Sequence, residues 1–565
     1  MKTAFVQNRP KIGKPGGLTG KPEPYSVSRN RAGQIIPAGL QKFYKLKRYI
    51  LQHTAAAKTQ AKEGFHQPIM ASYPPPSSTT HADAGETETL RRTEPVKEIP
   101  GICGSPFIDR LQYFYFKGEE SFFQSKIDLY GSTVFRTNMP PGPFMASDSR
   151  VIAVLDAKSF PVLFNTSVIE KKDVLTGTYM PTTKFTGGRR VCSYLDPSEP
   201  THAKIKELFF TLLASRKDAI IPSFRSAFAA RLFAAVDSKL ASAGRADFNA
   251  LNDEVCFDFL GEAFFGAPPS KFGAAGLPAK AGIWLSLQLA PLACNVSKYL
   301  PWFVEDPLLH TFPLPSFVAK PAYKALYSYF ESAGAAVLKE AEKVGLSREE
   351  ACHNLLFMGC FNAHGGLRIF FPALMKYLAV SGNGLHDRLT AEVRTAVSAD
   401  GDNGLVTVAA LEKMELVKSV VYEVLRLDPP VKYQYGHARK DFVIESHDAA
   451  FQVRKGEMIF GYQPFATRDK RVFGANADKF IPDRFIGEHG AKLLSNVWWS
   501  NGPETENPTV GNKQCAGKNF VVLIARLLVS EFFLYYDTFT AYVSKSALGA
   551  QVIITSATKA KNKLA

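Results

Sequence analysis

The sequence lacks any run of the roughly 20 apolar residues that a membrane-spanning helix needs. Its nearest approach, Ala281 to Val296, is interrupted by Gln288 and Pro291. Acid is almost missing from the first 70 residues, where Glu23 and Glu63 face 13 Lys and Arg, among them the Lys42, Lys45, Lys47, Arg48 cluster. No apolar segment with a small-residue cleavage site follows those charges, which argues against secretion and favours an organelle transit segment. Serine is also scarce there, Ser26 and Ser28 alone, so a basic tail without an address is the alternative reading. Cysteine pairing is lacking too: Cys103, Cys192, Cys256, Cys294, Cys352, Cys360 and Cys515 form no CxxC. That removes a zinc ribbon or a disulfide framework and fits a reducing compartment. Two glycosylation-type triplets, Asn165-Thr166-Ser167 and Asn295-Val296-Ser297, mean little without a secretory signal.

The net charge of +16 belongs to the leader: residues 71–565 hold 55 basic and 50 acidic side chains, a difference of +5. So even a balance offers no phosphate-binding stripe, and nucleic acid is set aside as a partner. Apolar bulk is plentiful. With 46% hydrophobic residues, 43 Phe and 21 Tyr, the chain has material for a large core, and disorder throughout is excluded. A soluble or peripherally membrane-attached protein is expected.

The chain falls into three regions. Residues 1–70 are the transit-like leader. Residues 71–98 contain Pro74-Pro75-Pro76-Ser77-Ser78-Thr79-Thr80, which cannot bury itself and reads as a linker. Residues 99–565, without repeat or second linker, form one catalytic domain, mainly α with a smaller β portion after the helices. Ser347-Arg348-Glu349-Glu350 is a capping box opening a buried central helix that Pro372 should end or kink. Gly365-Gly366 inside it read either as close helix packing or as room for a flat group to approach the backbone. A helix is expected over Val408 to Leu427, stopping before Pro429-Pro430. Strands are expected at Phe442-Val443-Ile444-Glu445 and Phe451-Gln452-Val453, a turn at Lys455-Gly456-Glu457, and a last helix from about Asn519 to Tyr535.

Glu423 and Arg426, three apart, share a helix face, and such a pair alone is usually a solvated ion pair. Downstream lie a further arginine in Pro482-Asp483-Arg484-Phe485 and a cysteine in Gly511-Asn512-Lys513-Gln514-Cys515-Ala516-Gly517. A helix N-terminus, Lys513 and Lys518 favour a thiolate at Cys515.

In this order and spacing the features resemble the cytochrome P-450 haem-thiolate fold, over roughly Pro95 to Val552. The resemblance implies that Glu423, Arg426 and Arg484 lock the meander under the cysteine loop. It implies that Cys515 is the axial ligand to the iron of haem b, with Lys513, Lys204 and His202 beside the cofactor. His437 stands where an arginine near a haem propionate is expected. Two departures narrow the family. Pro508 replaces the aromatic seven positions before the cysteine, after an extended segment from Trp498 to Glu506. The central helix carries Gly359-Cys360-Phe361-Asn362-Ala363-His364-Gly365-Gly366 in place of the acid-alcohol pair with which oxygenases protonate bound dioxygen.

Those departures resemble the plant branch acting on fatty-acid hydroperoxides: allene oxide synthases, hydroperoxide lyases, divinyl ether synthases and epoxyalcohol synthases. Asn138-Met139-Pro140-Pro141-Gly142-Pro143-Phe144, Tyr194-Leu195-Asp196-Pro197-Ser198-Glu199-Pro200 and Gly461-Tyr462-Gln463-Pro464 agree. The resemblance implies homolytic cleavage of the substrate's O–O bond, without NADPH or a reductase, and an alkoxyl radical closing to an epoxide. The remaining carbon radical is where products diverge. Asn362 matches the residue that hydrogen-bonds the peroxide, and Phe144 the aromatic that steers the radical toward dehydration. Arg368 agrees with the synthases, and His364 departs from the usual aromatic or small residue. The expected activity is that of a plastid allene oxide synthase acting on 13-hydroperoxides in jasmonate-type oxylipin synthesis. A lyase or epoxyalcohol synthase, an O2-dependent monooxygenase, and a haem or fatty-acid binding protein without turnover are the alternatives.

Overall fold

A computed structural model describes residues 96–560 except 176, 273–275, 294–299 and 547–548. The leader, the linker up to residue 95, Cys294 and the Asn295 triplet lie outside the described residues. The chain divides into Met1–Glu86 and Thr87–Ala565, and the described residues belong to the second unit. Its first strand, Val96–Lys97, pairs in parallel with Ala450–Val453. The folded body therefore starts by Val96, inside the stretch expected to be linker, because its backbone supplies an edge to that sheet.

Helices dominate, and the β portion is not confined to the region after them. The five-stranded sheet runs in the order Val134–Asn138, Arg150–Val154, Met458–Tyr462, Tyr433–Ala438, Ile169–Glu170. Chain segments some 300 residues apart thus share one sheet, joined in parallel register at Ile152↔Ile459. Short-range alternation identifies single strands, but partners this distant leave no local mark. The expected strands at 442–445 and 451–453 pair antiparallel through Phe442↔Val453 and Ile444↔Phe451. Gly456 takes a φ of +86° in the following turn, a region a side chain strains to enter.

Ser347 Oγ accepts the Glu350 N–H at 3.2 Å, and the central helix starts at Arg348 as its capping box predicts. It runs as α-helix Arg348–Leu356, π-helix Phe357–His364 and α-helix Gly365–Ser381. Pro372 does not end it. An interior proline costs about 3 kcal/mol, whereas Leu374, Met375 and Leu378 beyond it are fully buried, each worth about 1.5–3 kcal/mol. Burial wins, and the helix continues.

The expected single helix over 408–427 is two, Val408–Glu412 and Glu415–Leu427. The Glu392 carboxylate accepts the N–H groups of Leu416 and Val417 at 2.7 and 2.9 Å, satisfying donors that a continuous helix would have used internally. The last helix, Lys518–Tyr535, matches expectation. A stretch outside the apolar run singled out in the sequence, Lys217–Ala243, is long and apolar enough by length and composition to cross a membrane. Its apolarity serves the core: Phe224 and Phe228 stack at 4.2 Å, and with Phe233 they belong to the main hydrophobic cluster.

The Glu423–Arg426 pair is fully buried, not solvated. Glu423 accepts from Arg426 Nε at 2.7 Å, from Arg484 Nε at 2.9 Å and from the Ile481 N–H at 3.0 Å. Arg426 also donates to the carbonyls of Thr467 and Ala477 at 2.8 and 2.7 Å, and Arg484 to that of Asn476 at 2.8 Å. Both guanidinium groups lie over the Phe473 ring. The segment from 467 to 484 is thereby tied to one carboxylate. Glu423→Gln should lower stability by about 3–5 kcal/mol, because it leaves two buried cations short of their anion. The check is the urea unfolding midpoint, and an unchanged midpoint would show the network to be dispensable.

Candidate active site

One stripe of the central helix is open. Asn362 is exposed although Gly359, Cys360, His364 and Gly365 around it are buried. Four residues on, a Cβ added to Gly366 would meet nothing within 4 Å, whereas one on Gly365 would come to 3.1 Å from the Leu285 side chain. Residues at this spacing share a face, so Asn362 and Gly366 look into the same space. The two readings of the glycine pair divide between its members: Gly365 allows close packing, and Gly366 leaves room for a flat group. The stripe lies at the π-helical segment, a form that occurs mostly as short insertions at functional positions. The Asn362 amide has no hydrogen-bond partner among the described residues.

The cysteine loop is held from below. Lys206, 3% exposed, donates to Asn512 O at 2.7 Å, Asn512 Oδ1 at 3.1 Å and Gln514 O at 2.9 Å. Asn512 Oδ1 in turn accepts the N–H groups of Thr509 and Gln514. The segment before the loop is a small antiparallel ladder, Trp498–Trp499 on Gly502–Pro503, with Asn501 at a φ of +64° in its turn. It is joined to the loop through Gln514 Nε2 on Pro503 O at 2.7 Å, and Trp498 stacks on Phe160 at 4.6 Å. This strap occupies the segment whose departure from the oxygenase pattern singled it out.

Two electrostatic expectations change. Lys513 donates to the carbonyls of Cys192 and Leu195, and Lys518 to those of Glu504 and Glu506. Both hold backbone rather than a thiolate. Burial pushes the Cys515 thiol up from its ordinary value, opposed by the Gly517 N–H and by the charge of Lys206. Burial brings Lys206 itself down to about 8. A thiolate at Cys515 therefore depends on a cation, and an iron centre is one.

Lys204 does not stand beside the loop. It is exposed, and its ammonium lies 3.4 Å from Gly345 O. Lys204 and Lys206 are two apart on the helix Pro200–Ser215 and so face opposite ways. Sequence reasoning missed Lys206 although it continues the buried stripe His202, Ile205, Phe209, a periodicity visible before folding. His202 is fully buried with neither ring nitrogen hydrogen-bonded among the described residues. Burial, then Lys513 and Lys206, bring its pKa down to about 4. His437 lies on the Tyr433–Ala438 strand with Nδ1 3.3 Å from Gly456 O.

Arg368 and His364 do not face the open stripe. Arg368 Nε lies 2.8 Å from Asp253 Oδ1, and His364 Nε2 is 2.9 Å from the same oxygen. Phe144 is 64% exposed and stacks on Phe312 at 4.9 Å with 10° between the rings. Its loop is docked by the Gly142 N–H on His310 O at 2.6 Å. No described contact joins Phe144 to Asn362 or Cys515.

These residues fit an iron porphyrin: open space along Gly366, and a thiol in a rigid loop with Lys206 beneath it, whose charge favours the thiolate. The cytochrome P450 family model matches residues 349–541, which include the central helix, the Glu423 network and the cysteine loop. Among curated proteins, allene oxide synthase 2 of Oryza sativa subsp. japonica is 58% identical over 82% of this chain and 97% of its own length. The chloroplastic allene oxide synthase 2 of Solanum lycopersicum is 52% identical over 84% and 94%. The chloroplastic allene oxide synthase of Arabidopsis thaliana is 51% identical over 84% and 91%.

Lys206→Met should loosen the loop by removing a charged donor from three acceptors, each such bond being worth about 1.5–3 kcal/mol. A lower ratio of Soret to protein absorbance after purification is expected, while Lys204→Met keeps the wild-type ratio. Equal ratios in both variants would remove Lys206 from the site.

Proposed function

The chain belongs to the allene oxide synthases, a branch of the cytochrome P450 family, and on that premise we propose that it is a hydroperoxide dehydratase converting polyunsaturated fatty-acid hydroperoxides, chiefly 13-hydroperoxides, to allene oxides. The net change is loss of one water: the hydroperoxide group and the C–H of the adjacent vinylic carbon become an epoxide, one of whose ring carbons also carries the double bond. The substrate brings its own O–O bond, so neither NADPH nor a reductase is needed. Bound through Cys515, a thiolate-ligated haem supplies the electron donation that favours O–O cleavage.

The open stripe carries this reading. Its one polar side chain among residues 359–366 is the neutral amide of Asn362, since His364 is turned to the opposite face and held at Asp253. No carboxylic acid or alcohol stands there to protonate dioxygen. An amide donates through Nδ2 and accepts through Oδ1 without titrating, so Asn362 positions a peroxide whose bond is to break. Gly366 beside it leaves the approach free of side chain. Phe144 offers a π face that favours oxidation of the carbon radical over its rearrangement, and Phe312 holds that ring by stacking.

The setting we propose is the plastid, with jasmonate-type oxylipins downstream. It is supported by the acid-poor basic leader and by the chloroplastic relatives from Solanum lycopersicum, Linum usitatissimum and Arabidopsis thaliana. Peripheral membrane attachment is supported by Phe107, Phe303, Leu308 and Phe317, all exposed. The Arg110–Asp306 pair at 2.9 Å joins the segments that carry Phe107, Phe303 and Leu308, and Glu305 and Asp306 are themselves buried.

Purified haem-loaded protein should consume linolenic acid 13-hydroperoxide without NADPH, giving ketols, the hydrolysis products of an allene oxide. Strict dependence on a reductase, or aldehydes as the main product, would overturn the assignment. Asn362→Ala should lower kcat about tenfold to hundredfold with haem retained, since a positioning hydrogen bond is worth about 1–3 kcal/mol and each 1.36 kcal/mol is tenfold in rate. Phe144→Leu keeps the position apolar and should preserve hydroperoxide consumption while moving product from ketols toward aldehydes or epoxyalcohols. An unchanged product ratio would remove Phe144 from radical control.

A further inference from the structure

The helix Phe248–Phe265 lies behind the central helix, on the side away from the open stripe, and grips it at one turn. Asp253 supplies one hydrogen-bond acceptor and one charge there. Its carbonyl oxygen is 3.0 Å from His364 Nε2, and its Oδ1 lies 2.9 Å from the same nitrogen and 2.8 Å from Arg368 Nε. The carbonyl oxygen can only accept, so Nε2 carries a hydrogen toward it, whereas Oδ1 lies beside both nitrogens outside hydrogen-bond geometry and acts through its charge. The neighbouring Asn252 donates to Leu367 O at 3.4 Å, and the Phe257 ring meets His364 edge-on at 5.0 Å. Arg368 fits its place because Gly282 has no side chain: a Cβ there would come within 2.8 Å of the guanidinium.

This grip closes on the last residue of the π-helical segment, His364, and on the first turn of the next α-helix. Asn362 is two residues before His364, on the opposite face. A π segment is one residue out of step with an α-helix, and at 3.6 residues per turn one residue is about 100° of rotation. Were the segment to relax to α-helix, Asn362 would turn away from the direction it shares with Gly366. Something must hold the rotation, and the backbone's own bonding favours the tighter form.

We infer that Asp253 is a positioning residue for the dehydration: by holding His364 and Arg368 from behind, it sets the rotation of the π-helical segment and so the direction in which Asn362 meets the peroxide. This rests on the reading of Asn362 as the peroxide-positioning amide. Arg368 and His364 thereby influence the reaction without facing the substrate.

The test is a double-mutant cycle on the haem-loaded full chain, with Asp253→Ala, Asn362→Ala and the double variant, reading kcat, KM, product ratio and Soret spectrum. Asp253→Ala should lower kcat about fivefold to fiftyfold with haem content unchanged, and the double variant should be no slower than Asn362→Ala alone. Asp253→Glu, which keeps the carboxylate, should recover part of the loss, whereas Asp253→Asn, which keeps the shape without the charge, should not. Should Asp253→Ala fail to fold, His364→Phe removes the Nε2 donor while keeping a ring beside Phe257, and its double variant with Asn362→Ala gives the same comparison. Multiplicative losses in the cycle would overturn the inference and leave Asn362 catalytic, as would wild-type kcat in the Asp253 variant. Wild-type kcat in Asn362→Ala would instead overturn the reading of Asn362, and this inference with it.

Discussion

A buried carboxylate shared by two guanidinium groups is the constraint on which the rest of the structure depends. Glu423 and Arg426 are both fully buried, and Arg484 nearly so. Removing such charges from water costs several kcal/mol per ion, so the network persists only because its bonding is dense. Beyond Glu423, the two arginines reach the carbonyls of Thr467, Asn476, Ala477 and Lys479. Carbonyls of a segment whose own backbone bonds are short turns and the helix Lys470–Phe473 are thus given donors by the side chains of two arginines. The Trp498 strap and the loop bearing Cys515, which come next in the chain, start from a fixed point.

The two sides of the site are built on opposite electrostatic principles. Below the cysteine loop, cations are buried close together: Lys206, Lys513 and, bonded to Tyr435 O, Lys171, whose pKa burial brings down to about 7. These buried lysines spend their donors on backbone carbonyls and so order the loop, and the charge of Lys206 favours a thiolate at Cys515. On the central helix the opposite holds. The open stripe carries a neutral amide and a bare backbone, and His364, Arg368 and Asp253 are on the far face. A stripe arranged this way suits the proposed reading, in which the oxygen–oxygen bond arrives preformed, since residues 359–366 offer it neither acid nor alcohol.

Much of this is legible before folding. The capping box at Ser347, the strands at 442–445 and 451–453, the last helix and the Glu423–Arg426 pair rest on short spacings, and each stands where spacing puts it; Arg484 joins that pair as the family resemblance implied. The failures have a common cause. Of the two outcomes that local backbone preference allows at Pro372, tertiary burial overrides an end to the central helix; local preference also makes 408–427 one helix, which a distant carboxylate, Glu392, divides. Proximity in sequence assigns Lys513 and Lys518 to Cys515, yet both ammonium groups reach carbonyls elsewhere. Helix phase, rather than residue type, separates Lys206 under the loop from Lys204 in solvent.

By itself, then, the sequence determined which residue types are available and in what periodicity: a thiol in a glycine-bearing loop opening a helix, an amide and a glycine four apart on a buried helix, a carboxylate three before an arginine. Local geometry follows from such spacings because helical repeat and rotamer preference act over a few residues. Only the tertiary structure decided which of two adjacent glycines faces open space, which lysine lies under the loop, and that His364 and Arg368 meet at Asp253. Those outcomes depend on groups distant in the chain, whose positions arise when separate apolar surfaces are buried against one another, and no local spacing records them.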